Sequence, residues 1–101
     1  MPASLPDRRT FHLVRYSWPT ERTELVRAAY PRHREDVDAL GADGRLWMIG
    51  TLPEIDGTTT AVAIFRDADS AAAFRRNDPL FTDGLAEVGP VQEWAPLSFP
   101  Q

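Results

Sequence analysis

Residues 46–66, LWMIGTLPEIDGTTTAVAIFR, contain two strand-like runs separated by a turn signal. The first run, LWMIGTL, covers 46–52 and the second, TTTAVAIFR, covers 58–66. Both are rich in β-branched and aromatic residues, and the Asp56-Gly57 pair between them is typical of a tight turn. The stretch therefore predicts a β-hairpin in the middle of the chain, and the segments on either side determine which fold the hairpin belongs to.

The segment before the hairpin combines a strand with a helix. FHLVRYS, at 11–17, is a strand-like run, and residues 20–43 are helical in character. Their stripe at helical spacing consists of Val26, Tyr30, His33, Val37 and Leu40. Pro31 lies inside this stripe, and proline is comfortable only in the first helical turn. We therefore expect the main helix to begin near Pro31, with residues 20–30 forming a separate short helical segment.

The segment after the hairpin begins with a second helix, DADSAAAFRRN, for which Asp67 is the expected N-cap. Asn77-Asp78-Pro79 then ends that helix. An aspartate before a proline also suits a new helix start, with Asp78 as N-cap, Pro79 at the first position and a short turn through Phe81. A last strand is expected at about residues 88–95.

The order of elements is β-α-β-β-α-β, which predicts an α+β protein of the ferredoxin-like type. Its four-stranded antiparallel sheet would carry both helices on one face. The strands are apolar on both faces, and in the second strand we expect Trp47 and Ile49 to lie opposite Leu46 and Met48. We infer that a second copy covers the other face, sheet to sheet, in an assembly of the dimeric α+β barrel type. The alternative is that the tail and loops cover it.

Length and composition indicate one domain, with a loose arm at 1–10, the domain at 11–97 and a tail at 98–101. Eleven basic residues against 15 acidic ones exclude a protein that tracks nucleic-acid phosphates. Cysteine is absent, the six glycines form no phosphate loop, and His33 lacks a second histidine at ligand spacing, so we expect no cofactor and no metal. No run approaches 18 apolar residues, and we expect a cytoplasmic protein without a membrane partner.

Four short motifs occur in a fixed order along the chain. They are Arg15-Tyr16 at the end of the first strand, Pro31-Arg32-His33, Gly44-Arg45-Leu46 with Gly50, and Asp78-Pro79 with Gly84-Leu85. Over residues 11–97 the chain resembles, through these motifs, the YciI-like (YCII-related) family of small α+β proteins. The resemblance implies a ferredoxin-like fold and a homodimer.

The resemblance also implies an active site formed by a histidine at the start of the first helix and the aspartate of the Asp-Pro motif. Here these are His33 and Asp78. Histidine can take and return a proton near neutral pH, and a carboxylate bonded to one ring nitrogen leaves the other for substrate. We expect a cofactor-free lyase or isomerase that acts on a small cyclic or aromatic-derived metabolite by proton abstraction or elimination. Arg15, Tyr16 and Phe81 are the expected substrate-binding residues, and packing or surface charge is the alternative role for Arg15 and Tyr16.

Other interpretations stay open from the residues alone. His33 lies on an apolar stripe and can equally be a buried histidine bonded to a backbone carbonyl, while Asp78 can serve only as a helix cap. His12 is expected at a sheet face or in the dimer interface. The protein can also be a non-catalytic small-ligand-binding or accessory module. A cofactor-independent monooxygenase-like protein is a third possibility, and it would need a larger apolar cavity.

Overall fold

The computed structural model describes residues 7–99, with side chains from residue 9 onward. The main helices and strands follow one another in the predicted order, with short additional strands near both ends. The elements are β1 (Asp7–Arg8), β2 (Phe11–Pro19), a 3-10 turn (Thr20–Arg22), α1 (Thr23–Ala42), β3 (Leu46–Thr51), β4 (Thr58–Phe65), α2 (Ala68–Asn77), α3 (Pro79–Thr82), β5 (Glu87–Val88), β6 (Gln92–Trp94) and β7 (Leu97–Ser98).

The main sheet is antiparallel throughout and has five strands. Its order is β3-β4-β2, and β5 and β6 both pair with the far edge of β2. The single last strand predicted at 88–95 is therefore two short strands. Gly89-Pro90 separates them, because a proline has no N–H to donate to the ladder. This topology is compatible with the ferredoxin-like arrangement, in which β2 and β4 are the central pair.

One face of the sheet packs against the helices and holds the core. Alternate residues of β2 and β4 point to this face, and Val14, Ala63 and Phe65 are completely buried there. Helices α1 and α2 contribute residues such as Val26 and Phe74 to the same cluster. Each large apolar side chain buried in this way contributes about 1.5–3 kcal/mol. His12 is half-buried on this face too, as expected for a sheet position.

The other face of the sheet, called the open face from here on, has no helix over it within residues 7–99. It is formed by Phe11, Leu13, Arg15, Met48, Val62 and Ile64. Leu13 lies opposite Ile64, and both are partly exposed. Phe11, in contrast, is shielded from solvent, because its ring stacks on that of Trp47 with centroids 4.7 Å apart. The two apolar faces inferred from the sequence are therefore present.

A β-bulge in β3 changes which residues share a face. Leu46 lies opposite Phe65 and Met48 lies opposite Ile64, so Trp47 is the extra residue between two successive pairs. The alternation restarts after the bulge, and Ile49 then faces the helices together with Leu46, opposite Ala63. The prediction that Trp47 and Ile49 share one face is wrong for this reason.

Helix α1 is continuous from Thr23 to Ala42 with Pro31 inside it, and the predicted break at this residue is wrong. Of residues 20–30, only Thr20–Arg22 forms a separate turn. Val26 and Ala29 before the proline and His33 after it are all buried against the rest of the protein. This packing outweighs the cost of about 3 kcal/mol that an internal proline carries. No helix in the described part of the chain is long and apolar enough to cross a membrane.

The two ends of the described chain pair with each other. Asp7–Arg8 is antiparallel to Leu97–Ser98, so a small two-stranded sheet joins the predicted arm to the boundary between the predicted domain and tail. The rest of both predictions, residues 1–6 and 100–101, lies outside the described residues. The division into arm, domain and tail stays a prediction.

Candidate functional site

The centre of the candidate site is a hydrogen bond between α1 and the start of α3. Nδ1 of His33 lies 2.5 Å from Oδ1 of Asp78, across 45 positions of sequence. The Asp78 side chain is fully buried and that of His33 is 10% exposed. With Nδ1–H donating to the carboxylate, the neutral form of the imidazole has its lone pair on the remaining ring nitrogen, Nε2. The contact between the two predicted residues is confirmed.

Asp78 is held in place by the local structure around it. Its backbone N–H bonds to the carbonyl of Phe74 and ends α2, and its Oδ2 accepts from the N–H of Leu80, 3.1 Å away. Pro79 occupies the first position of α3, as predicted. One carboxylate oxygen therefore caps α3 while the other accepts from the imidazole of His33. The cap and the contact with His33 do not compete, because a carboxylate has about four acceptor sites.

A cavity of about 770 Å³ lies between α1 and the helix-facing side of the sheet. His33 and Leu80 contribute to its lining, and its walls are largely apolar, with Trp18, Val26 and Ile49 among them. Cavities of about 300–1,000 Å³ hold typical small-molecule ligands. The imidazole of His33 is thus in contact with a space that a metabolite can fill.

Tyr16, predicted as a substrate-binding residue, lines the same cavity. The residue is only 1% exposed, and its hydroxyl has no hydrogen-bond partner among residues 9–99. Burial raises the pKa of the phenol far above its ordinary value, and the negative charge of Asp78 adds to this, partly offset by Arg75. The group is therefore a neutral donor, and leaving such a buried donor unpaired costs about 1–3 kcal/mol.

Sequence reasoning missed several residues around this cavity. Trp18 and Thr59 lie side by side on β2 and β4, and on α1 the guanidinium of Arg34 donates to Asp38 and to the hydroxyl of Tyr30. Two signals could have found some of them. Trp18 continues the alternation that begins at Val14 and Tyr16, and Tyr30 belongs to the same helical stripe as His33.

The structure does not bring Arg15 and Phe81 to the cavity. Arg15 is exposed on the open face, because side chains alternate along β2 and its neighbour Tyr16 takes the helix side. Phe81 is 39% exposed, and its ring lies 5.0 Å from the guanidinium of Arg75. Of the five predicted residues, three are brought together, namely His33, Asp78 and Tyr16.

The chemistry available at this site is that of proton transfer and hydrogen bonding. The imidazole of His33 can accept a proton at Nε2, and the hydroxyl of Tyr16 can donate a hydrogen bond. Within the described chain no three His, Cys, Asp or Glu side chains lie close enough together to hold a metal ion.

The fold and the site together define a small α+β domain with a buried histidine–carboxylate pair beside a cavity of metabolite size. The family model described as a YCII-related domain matches residues 10–95, and the chain belongs to this family. Among solved structures it is similar to the de novo designed protein Foldit4, with a TM-score of 0.52 and 15% identity over 84% of this chain and 94% of that one. At this identity the likeness concerns the fold alone. No curated protein matches the chain.

Proposed function

We propose that this protein is an enzyme acting on a small molecule, with His33 as the acid–base group and Asp78 as its orienting partner. The reaction is of the lyase or isomerase type and proceeds by proton abstraction or elimination. One observation carries the proposal: the histidine whose Nδ1 bonds to a fully buried carboxylate also lines the 770 Å³ cavity.

His33 and Asp78 suit this role because the carboxylate selects one tautomer of the imidazole and because both side chains are buried. Asp78 holds the proton on Nδ1, so Nε2 is the nitrogen that meets a substrate. When Nε2 takes a proton, the carboxylate stabilises the imidazolium that forms. Water has little access to the pair, which strengthens this electrostatic interaction.

The competing function is a non-catalytic ligand-binding or accessory module. In such a module we would expect a histidine whose ring nitrogens bond to the backbone and which is walled in by other side chains. The bond from His33 to Asp78 and its contact with the cavity favour the enzyme.

The proposal includes a homodimer that forms through the open face. Leu13, Val62 and Ile64 leave this face apolar and partly exposed, and Trp47 and Trp94, each 42% exposed, extend it at one end. A contiguous apolar surface of this kind on a sheet marks a protein–protein contact. When the open faces of two copies pack against each other, each buries the apolar surface of the other.

The test begins with a thermal-shift screen of small cyclic and aromatic carbonyl compounds against the parent protein and the His33→Ala variant. A ligand that binds the folded state raises its stability by RT ln(1 + [L]/Kd). Turnover is then measured on each hit. We expect His33→Ala to lose about 10²–10⁴-fold in turnover, the usual contribution of an acid–base group.

The matched control for this experiment is His12→Ala, which removes the other histidine of the chain. We expect it to turn over the hit as the parent does. Turnover of His33→Ala within a few-fold of the parent would remove His33 from the mechanism. A hit that binds both proteins and is converted by neither would establish the module instead.

A further inference from the structure

The hydroxyl of Tyr16 makes no hydrogen bond within the described part of the protein. The ring of this residue packs edge to face with Phe74, at 6.3 Å between centroids, and a phenylalanine ring would make the same contact. The oxygen, in contrast, is buried without a partner among the described side chains and backbone. A buried donor of this kind in a native protein calls for an explanation, and a ligand acceptor is one.

The neighbouring carboxylate does not already serve this hydroxyl. Oδ1 of Asp78 accepts from His33, and Oδ2 accepts from the N–H of Leu80. No hydrogen bond joins Asp78 to Tyr16. Burial raises the pKa of the phenol, and the charge of Asp78 adds to this through space, so that Tyr16 keeps its proton at any physiological pH. The site thus holds a permanent neutral donor.

His33 and Tyr16 line one cavity and have opposite hydrogen-bonding roles. A neutral His33 with its proton on Nδ1 has a lone pair at Nε2, and Tyr16 has a buried O–H. A base and a donor that line one cavity suit a substrate that loses a proton from carbon while negative charge develops on a nearby oxygen. Donors placed where such charge develops are among the largest contributions to catalysis.

We propose that Tyr16 is a catalytic residue of this site and that the substrate is a carbonyl compound with an acidic C–H next to the carbonyl. This inference rests on the proposed function. Nε2 of His33 takes the proton from that carbon, and the C–H electron pair forms the C=C bond of an enolate. The carbonyl π pair moves onto oxygen, which accepts a hydrogen bond from Tyr16.

The enolate then collapses in one of two ways. In a substrate with a C=C bond between the β- and γ-carbons, the carbonyl re-forms as the proton on His33 is delivered to the γ-carbon and the double bond moves to the α,β position, which is an isomerisation. Alternatively the carbonyl re-forms as a leaving group departs with its electron pair from the β-carbon and takes the proton from His33, which is an elimination. No oxidant or other reactant is needed for either outcome.

The hydroxyl of Tyr16 has almost no contact with solvent in this structure, so the proposal includes a small movement of lining side chains when a ligand binds. Leu80 and His33 both contribute to the lining of the cavity beside it. Rotamer changes of this size are common when a site becomes occupied.

The test uses 4-nitrophenol, whose phenolate resembles an enolate and absorbs visible light. Binding to the parent and to Tyr16→Phe is measured by absorbance titration, and thermal unfolding of both proteins is followed in parallel. We expect Tyr16→Phe to bind the phenol about tenfold or more weakly, because a hydrogen bond to a charged oxygen is lost. We expect its unfolding midpoint to equal or exceed that of the parent.

Two controls make the result specific. Ser17→Ala removes a hydroxyl from the next residue of β2, which lies on the open face and away from the cavity, and should bind as the parent does. On the parent protein, 4-nitroanisole should bind more weakly than 4-nitrophenol, since a methyl ether cannot form a phenolate. This second comparison needs no variant.

Three results would overturn the inference. They are equal binding of the phenol by Tyr16→Phe, binding of the ether as tightly as the phenol, and failure of the parent to bind 4-nitrophenol at its solubility limit. None of these decides whether His33 works in catalysis, because that proposal is tested by turnover of His33→Ala. Binding that depends on Tyr16, with turnover that does not depend on His33, would retain the donor and reject the base.

Discussion

Asp78 performs two tasks with its two carboxylate oxygens, and Asp67 performs only one. Asp67 caps α2 by accepting from the N–H of Ser70, 2.8 Å away. Asp78 caps α3 in a similar way through Leu80 and also accepts from His33. Both aspartates precede a helix, yet only Asp78 is completely buried. Asp67 and Asp78 can therefore be compared directly, because both cap a helix and only Asp78 also contacts a histidine.

We expect Asp78→Ala to destabilise the protein more than Asp67→Ala does. Loss of a cap costs about 1 kcal/mol, which is the whole expected effect at Asp67. Loss of Asp78 also leaves a buried imidazole donor unpaired, which adds about 1–3 kcal/mol. Urea unfolding of both variants measures the difference. Equal losses would mean that the His33–Asp78 bond contributes nothing to stability.

The ionisation of Asp67 predicts a pH dependence of stability. Hydrogen bonds from the backbone and the hydroxyl of Ser70 lower the pKa of this carboxyl below its usual 3.8. A lowered folded-state pKa means that the charged form favours folding, so the contribution is complete well above pH 3.8 and is lost as the pH falls through the lower folded value. The stability of the parent relative to Asp67→Asn should therefore decline on acidification from about pH 5 to about pH 2. Thermal unfolding across this range checks it, and a difference that does not change with pH would contradict it.

The central hairpin and the helix caps could be predicted because their signals are local. Ile55 and Thr58 exchange both backbone hydrogen bonds around Asp56-Gly57, and both turn residues have positive φ, at 50° and 80°. Asp and Gly are the residues that tolerate this conformation in a two-residue hairpin turn. The caps at Asp67 and Asp78 likewise depend only on neighbours two or three positions away.

The elements that differ from prediction depend on contacts between distant parts of the chain. The bulge at Trp47 arises from the pairing of β3 with β4, and the residue pattern within β3 does not predict it. The continuity of α1 through Pro31 depends on the burial of Val26 and His33 on either side of the proline. Tertiary packing overrides local preference in both places.

Pro31 is therefore expected to cost stability where it stands. It lacks the N–H that would bond to the carbonyl of Arg27 in a helix, and its ring crowds that turn. We expect Pro31→Ala to raise the free energy of unfolding by about 1–3 kcal/mol in urea titration. Pro53→Ala, in the loop between β3 and β4, is the matched control and should lower stability slightly by loosening the unfolded chain. A loss of stability in Pro31→Ala would show that the proline shapes α1 for the contact between His33 and Asp78.

The two faces of the sheet divide the proposed functions of the protein between them. Alternation along β2 sends Tyr16 to the cavity and Arg15 to the open face, one residue apart. The expectation that His33 meets Asp78 came from the family resemblance, supported by the position of His33 on the inner stripe of α1. The unpaired hydroxyl of Tyr16 could not be predicted, because it depends on which distant groups fail to reach it. The sequence pattern thus indicates which side chains are buried. The three-dimensional packing determines which buried polar groups find no hydrogen-bond partner within the described residues.

The open face leads to the last prediction, which concerns the assembly. If two copies pack through this face, a carboxylate introduced at its centre must lose its hydration between two largely apolar surfaces, and that cost opposes association. We expect the parent to be a dimer in sedimentation equilibrium and Ile64→Glu to be a monomer. Leu25→Glu is the matched control: Leu25 is 58% exposed on α1, away from the sheet, and its variant should stay dimeric. A monomeric parent, or a dimeric Ile64→Glu variant, would show that two copies do not associate through the open face.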